Sequence, residues 1–326
     1  MLRSMRPRLL LAVALPLLLA DVAAGVPPPV ATFSIVARDP ATGERGVAVA
    51  SRFFAGGAVV PYARAGVGAV ATQASANTTY GPAGLALLAS GKTPKEALDA
   101  LLSKDDGRDR RQVGIVSASG ASATYTGPGT NPWAGGRSGP DYAVQGNILA
   151  GEKVVAELER AFRETRGSLA DRMYASLLAG DRAGGDSRGK QSAALLVVKA
   201  HAGYGGFDDR AIDIRVDDHP EPFIELGRLL RYAQMNYAWN EGWTAFMERR
   251  FPAALAAQER AASLAPRNGE VLYDLGVIRL ANGQRERALE ALREALSSNP
   301  KLRAQAAKDA DLAALREDPA FQRLIR

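Results

Sequence analysis

The sequence contains no cysteine and only two histidines in 326 residues. Without thiols there is no disulfide framework, no thiolate nucleophile and no N-terminal cysteine to carry a lipid anchor. Metal binding has little to build on. Asp217, Asp218 and His219 end a strand-like run, where neighbouring side chains face opposite ways, so a turn or cap role is expected there and no metal site. Charge of one sign is not in excess either. Lys and Arg number 41 against 35 Asp and Glu, a net +6, which is ordinary for a globular chain and gives no argument for nucleic acid. A nucleotide-binding loop is nearly present and fails on two counts. Residues 184–190 (GGDSRGK) fit GxxxxGK, but Gln191 follows where Ser or Thr is needed, and the loop comes after a helix and before a strand, the reverse of the required order.

A long membrane-spanning run is also missing. The apolar stretch at residues 9–20 is too short to cross a bilayer and is interrupted by Pro16, so no stable membrane span is expected. It has the form of a secretory signal instead. Arg3, Arg6 and Arg8 precede it, and the small residues Ala23, Ala24 and Gly25 follow. Residues 1–25 are therefore expected to be removed, with cleavage near Ala24 and Gly25 and a periplasmic or secreted product. That cut removes three Arg and Asp21, leaving 38 basic against 34 acidic residues. A stiff, proline-rich lead-in occupies residues 26–31.

What is present is apolar residue in quantity. At 47% hydrophobic and 23% charged, the chain can bury a core and has the length for two units. Residues 32–37 turn from alternating to continuously apolar, as a strand covered on both faces does. Residues 39–43 (DPATG) carry turn chemistry and residues 46–51 form a second apolar run, so the two should pair as a hairpin. Further strands are expected at 58–62 and 67–71, then a polar loop at 73–81. A helix follows over 82–90, and a capping box (TPKE) at 93–96 starts a second helix through Leu102. Residues 113–117 and 123–126 flank Ser119-Gly120 as another hairpin, residues 131–136 are loop, and 142–149 run from strand into loop. Helices are expected over 152–165 and, capped by Ser168, to Ala179, followed by a Gly- and Asp-rich loop at 180–190. Strands at 192–198 and 212–216 complete the order, which implies two antiparallel sheets between helical layers.

From Tyr237 the strands stop. Gly242 and Gly276 lie 34 residues apart, and the same offset relates Ala254 to Ala288, Ala261 to Ala295 and Pro266 to Pro300. That is the period of a tetratricopeptide repeat, with small residues where its two helices cross. Two repeats with tail helices are expected, offering a surface for a protein or peptide partner. Trp239, Trp243 and Phe246 are expected in the helix core. The expected division is 32–232 for the mixed unit and 233–326 for the helical one.

Thr32 is the candidate nucleophile, because an N-terminal Thr carries its own base: a free α-amine, with a pKa of about 7.7–8.0, can take the hydroxyl proton. The segments TFSIVARDPATGERGVAVASRFF, GAVVPYARAGVGAVATQ, NTTYGPAGLALL, RQVGIV, VQGNILAG, RGKQSAALLVV and IDIRVDDHP together resemble the bacterial domain-of-unknown-function family 1028. That family is placed in the N-terminal nucleophile (Ntn) hydrolase superfamily. The resemblance implies an α+β fold, a four-layer αββα sandwich followed here by the all-α tetratricopeptide-like unit. It implies amide-bond hydrolysis of a small substrate, no cofactor, and self-association by analogy. Two departures are visible. A cut after Gly25 leaves six residues ahead of Thr32, so a second cut is needed. Ala50 also stands where the Asp-Ser-Arg stretch of proteasome β-subunits has its Asp.

Around Thr32 the expected catalytic helpers are Arg52 and Lys190, whose charge would lower the amine's pKa, and the amides of Asn77 and Asn147, suited to an oxyanion. Gln73, Gln145, Ser51, Ser192 and Ser34 are the expected substrate-binding residues, with Ser34 as a second candidate nucleophile. The alternative reading is a non-catalytic ligand- or peptide-binding protein on the same frame with a blocked N-terminus.

Overall fold

The structure is a computed structural model in which residues 32–326 are described. The expected signal segment (1–25) and lead-in (26–31) lie outside the described residues. The opening hairpin forms as its turn chemistry requires. Strands β1 (Thr32–Arg38) and β2 (Arg45–Ser51) pair antiparallel, Asp39 Oδ1 accepts the Ala41 amide at 2.8 Å, and Gly43 takes φ 73°. The next elements are β3 (Pro61–Arg64), β4 (Gly68–Ala74), α1 (Tyr80–Ala89) and α2 (Pro94–Leu102). The capping box closes at the start of α2, where Thr93 Oγ1 accepts the Glu96 amide and Glu96 accepts the Thr93 amide. Then come β5 (Arg111–Ser117), β6 (Ser122–Thr126), β7 (Gly135–Gly139), β8 (Tyr142–Asn147), α3 (Glu152–Glu164), α4 (Leu169–Arg182), β9 (Ser192–Val198) and β10 (Arg210–Val216).

The strands make two antiparallel sheets. One has the order β10-β9-β2-β1-β8-β7, the other β3-β4-β5-β6. Their inner faces meet through Val36, Val47, Val49, Val60, Ala69 and Val116, all buried. Helices α1 and α2 cover the outer face of the smaller sheet through Leu85, Leu98 and Leu101 against Val113 and Ile115. Helices α3 and α4 cover the larger sheet through Val154, Leu158, Phe162, Met173 and Leu177 against Phe33, Ile35 and Leu195. Each such fully buried aliphatic or aromatic side chain contributes about 1.5–3 kcal/mol, so these layers fix the hairpin in place.

Four expectations change. The strand expected over 58–62 starts only at Pro61, because Gly56-Gly57-Ala58 close a 3-10 turn with Val59 N–H on Gly56 O, and Val60 N–H bonds the same carbonyl. Gln73 is strand, not loop: it is the next-to-last residue of β4 and fully buried, and a hydrogen-bonded amide is tolerated there. Gln145 and Asn147 are likewise buried members of β8. Residues 135–139, of which 135 and 136 fall in the expected loop, form an edge strand whose Gly-Gly-Arg-Ser-Gly composition carries no apolar pattern.

Beyond the sheets runs α5 (Pro222–Met247), a single helix that crosses the division expected between 232 and 233. Its first half packs on the larger sheet through Phe223, Leu226 and Leu230. Its second half packs on the helices α6 (Phe251–Leu264) and α7 (Gly269–Ala281) through Met235, Ala238 and Ala245. Helices α8 (Arg285–Ser298), α9 (Leu302–Ala306) and α10 (Pro319–Ile325) complete the array. The 34-residue offset has its expected meaning. A Cβ on Gly242 would come within 3.3 Å of Ala254 O, and one on Gly276 within 3.3 Å of Ala288 O. Both crossings need a hydrogen in place of a side chain.

Candidate functional site

Strand alternation sorts the first residues of β1. Phe33, Ile35 and Ala37 face the helices, so Thr32, Ser34 and Val36 face the second sheet. Register then builds a polar row across the larger sheet: Ser192 opposite Ser51, Ser51 opposite Thr32, and Thr32 opposite Asn147. The smaller sheet presents a matching row, Gln73 opposite Gln112 and Gln112 opposite Thr126. The two rows meet at one end of the inter-sheet space, and all but Thr126 are buried to 3% exposure or less.

Burial at this depth demands partners, and the rows supply them. Thr32 Oγ1 donates to Ser51 Oγ at 3.1 Å. The Thr32 carbonyl accepts from Gln73 Nε2 at 3.2 Å and Asn147 Nδ2 at 3.5 Å. Both amides also donate to Gln112 Oε1, at 2.8 and 3.1 Å. Gln112 Nε2 in turn donates to Gly146 O at 2.8 Å and Thr126 Oγ1 at 2.9 Å. One step deeper, Ser34 Oγ donates to Gln73 Oε1 at 2.6 Å and accepts from Gln145 Nε2 at 2.7 Å. Gly114 makes this crossing feasible, since a Cβ there would fall on the Gln145 amide. With both amide hydrogens engaged, Gln73 and Asn147 hold the Thr32 backbone in place.

The structure thus gathers six of the ten expected residues, Thr32, Ser34, Ser51, Gln73, Gln145 and Asn147, around one network. Ser192 is at the end of the row but turned to a loop: its Oγ donates to Phe53 O at 2.7 Å and accepts Gly56 N–H at 3.2 Å. Arg52 is exposed and donates to Gln191 Oε1 at 2.5 Å. Lys190 bridges Asp181 Oδ2 at 3.1 Å and Glu221 Oε2 at 3.3 Å. Burial alone would lower its pKa, but those two carboxylates outweigh burial and raise it, so Lys190 is a fixed cation. Asn77 belongs to a different cluster. Its Nδ2 donates to Asp105 Oδ2 at 3.3 Å, which also accepts from Arg111 Nε at 2.8 Å and Tyr80 OH at 2.7 Å. The Arg111 guanidinium, with the other donors, holds the Asp105 carboxyl far below the usual carboxylate range.

A cavity of about 170 Å³ adjoins the row, lined by Phe33, Ser51, Asp186, Lys190, Ser192 and Phe223 among others. Asp186 anchors its loop by accepting Arg52 N–H at 3.0 Å. Sequence reasoning missed Gln112 and Asp186. A polar residue inside the apolar run RQVGIV was the available signal for Gln112. The aromatics of α5 pack among the helices as expected, Trp239 against Met235, Ala238 and Val271, Trp243 stacked on Phe246, and Phe246 on Phe251, while Trp239 and Trp243 also line a second, larger cavity. Among the described residues no group of three or more His, Asp or Glu side chains is placed to hold a metal ion.

Comparison with known proteins agrees with this layout. A family of unknown function (DUF1028) matches residues 32–226, the two sheets and the helices on them. The chain belongs to the DUF1028 family. Within that family, the crystal structure of protein SPO2555 from Silicibacter pomeroyi is similar to this DUF1028 chain. The two share 30% identity with a TM-score of 0.58, over 63% of this chain and 86% of that one. A tetratricopeptide repeat family matches residues 245–318. No curated protein matches the chain.

Proposed function

We propose that this DUF1028 protein is an exported amide hydrolase of the Ntn type, with Thr32 as nucleophile once the residues ahead of it are removed. The observation that carries the reading is the setting of Thr32. It begins an inner strand, its hydroxyl is paired with Ser51 at 3.1 Å, and its carbonyl is held by two amides. The sheets and their covering helices are read, on this proposal, as the four-layer αββα sandwich of that superfamily. On the same proposal residues 32–232 are that unit and 233–326 the repeat unit, the two sharing the helix α5. Export rests on the basic, apolar and small-residue pattern of residues 1–25.

The freed α-amine accepts the Oγ1 proton as Oγ1 bonds to the substrate carbonyl carbon and the carbonyl electron pair moves to oxygen. When that pair returns, the C–N bond breaks and the departing amine takes the proton from the Thr32 ammonium. Water then cleaves the resulting ester by the same route in reverse roles. Gln73, Asn147 and, behind them, Gln112 position the nucleophile. The cavity beside Ser51 and Ser192 receives a small amide, with Lys190 as a fixed positive charge on its wall. This chemistry needs no cofactor. The tetratricopeptide region suggests a protein or peptide partner, and self-association is part of the proposal by analogy.

Intact mass of the protein recovered after export tests the reading, together with turnover on an amide library. A species beginning at Thr32 that turns over substrate is expected, and Thr32→Ala should lose turnover while keeping its fold. A mature protein that begins at Val26 and has no form starting at Thr32 removes the chemistry. One observation favours a second reading, a non-catalytic binding protein: Thr32 is fully buried and does not line the adjoining cavity. Saturable ligand binding by a protein inert towards every amide would select it.

A further inference from the structure

A cavity larger than the one beside Ser51 lies away from Thr32, where β10 and the loop before it meet α5 and α7. Its volume is about 730 Å³, in the range of small-molecule sites. Its lining carries four aromatic rings, Trp239, Trp243, Tyr237 and Tyr204, and two carboxylates, Asp213, which is paired with Arg210, and Asp274. These rings are not spent on packing alone, since Trp243 keeps 38% of its surface exposed and Tyr204 86%. The wall is built to stay in place. Asn240 accepts Gly205 N–H at 2.9 Å and donates to Gly203 O at 2.8 Å, tying the loop to α5.

Asp274 is the feature without an internal explanation. Trp239 Nε1 donates to its Oδ2 at 2.7 Å. Among the described residues no Lys, Arg or His forms an ion pair with it, and the charged groups that act on it are the acids Asp309 and Glu270. Burial pushes its carboxyl up to about 6, so it is ionised at neutral pH. Arg210, the one cation among the described lining residues, is shared between Asp208 at 2.8 Å and Asp213 at 3.7 Å. A carboxylate facing a cavity walled by aromatic rings has the complementarity of a cation with an apolar coat.

We propose that this cavity binds a small organic ammonium ion, its charge set against Asp274 and its alkyl groups against the rings of Trp239, Trp243 and Tyr237. The site is independent of any chemistry at Thr32. Choline, butylamine and the uncharged choline isostere 3,3-dimethylbutanol would be titrated against the full chain, by calorimetry and by tryptophan fluorescence. At least one ammonium probe should bind at one per chain, about tenfold tighter than the alcohol. The tighter of the two distinguishes a quaternary from a primary ammonium ligand. Asp274→Asn should weaken that probe about tenfold and leave the alcohol unchanged. If Asp274→Asn fails to fold by circular dichroism, Trp243→Leu, on the half-exposed wall, decides in its place and should weaken the same probe. Equal affinity for ammonium and alcohol overturns the proposal, as does the absence of saturable ammonium binding, or affinity untouched by the deciding variant.

Discussion

Replacing Gln112 with leucine would remove the hub on which the two polar rows depend. The side chain is fully buried, accepts from Gln73 and Asn147, and donates to Gly146 O and Thr126. Leucine fits the space but answers none of these groups. Two amide N–H bonds lose their acceptor, and each orphaned donor costs about 1–3 kcal/mol. The deserted carbonyls are more forgiving, because each has a second lone pair. The added apolar burial returns about 1–2 kcal/mol. A net loss of about 3 kcal/mol is expected, a large part of the 5–15 kcal/mol of a typical domain. Urea unfolding should show a lower midpoint at unchanged slope, and Tm should fall by about 6–12 °C. A folded variant that loses less than about 1 kcal/mol would refute the reasoning, because the amides would then have found other partners.

Two further outcomes test other parts of the molecule. Gly276→Val should destabilise the helical array by about 1–3 kcal/mol, since its Cβ would meet Leu292 Cγ at 2.7 Å and Ala288 O at 3.3 Å; far-UV circular dichroism melts would show it. Asp105→Asn should cost about 1.5–3 kcal/mol by weakening the bonds from Arg111 and Tyr80. Because the folded-state pKa of Asp105 is depressed, its contribution is full above the unfolded value of about 3.9 and is lost as pH falls through the lower folded value. The gap between wild type and variant should therefore be constant from neutral pH down to about pH 5 and close only in strong acid.

Features written in local chemistry were legible before the structure. The DPATG turn, the TPKE capping box and the Ser168 cap depend on residues within a few positions of one another, and all three form. The 34-residue offset was legible because a helix crossing tolerates only small side chains at a fixed spacing. The site was legible in part. Gln73, Gln145 and Asn147 were identified by type, but Gln73 was expected in a loop and the other two where a strand gives way to one, because a strand signal is apolar and these side chains are polar. Only the opposing sheet, distant in sequence, makes them acceptable in a buried strand. Gln112 was missed for the same reason, and β7 because its edge position needs no apolar face. The cavity at Asp274 was hidden because helical spacing cannot distinguish a ring buried in a core from one left facing space.

The length of α5 has a consequence for how this architecture can vary. One unbroken rod of 26 residues carries the sheets at one end and the repeats at the other. A single residue inserted midway would swing everything downstream by about 100° and shift it by 1.5 Å. Seven inserted residues bring the orientation back to within about 20°, while lengthening the rod by about 10 Å. The helix therefore acts as a phase setting: a similar junction can change its length without repacking both ends only by steps close to whole turns, such as about 7, 11 or 18 residues.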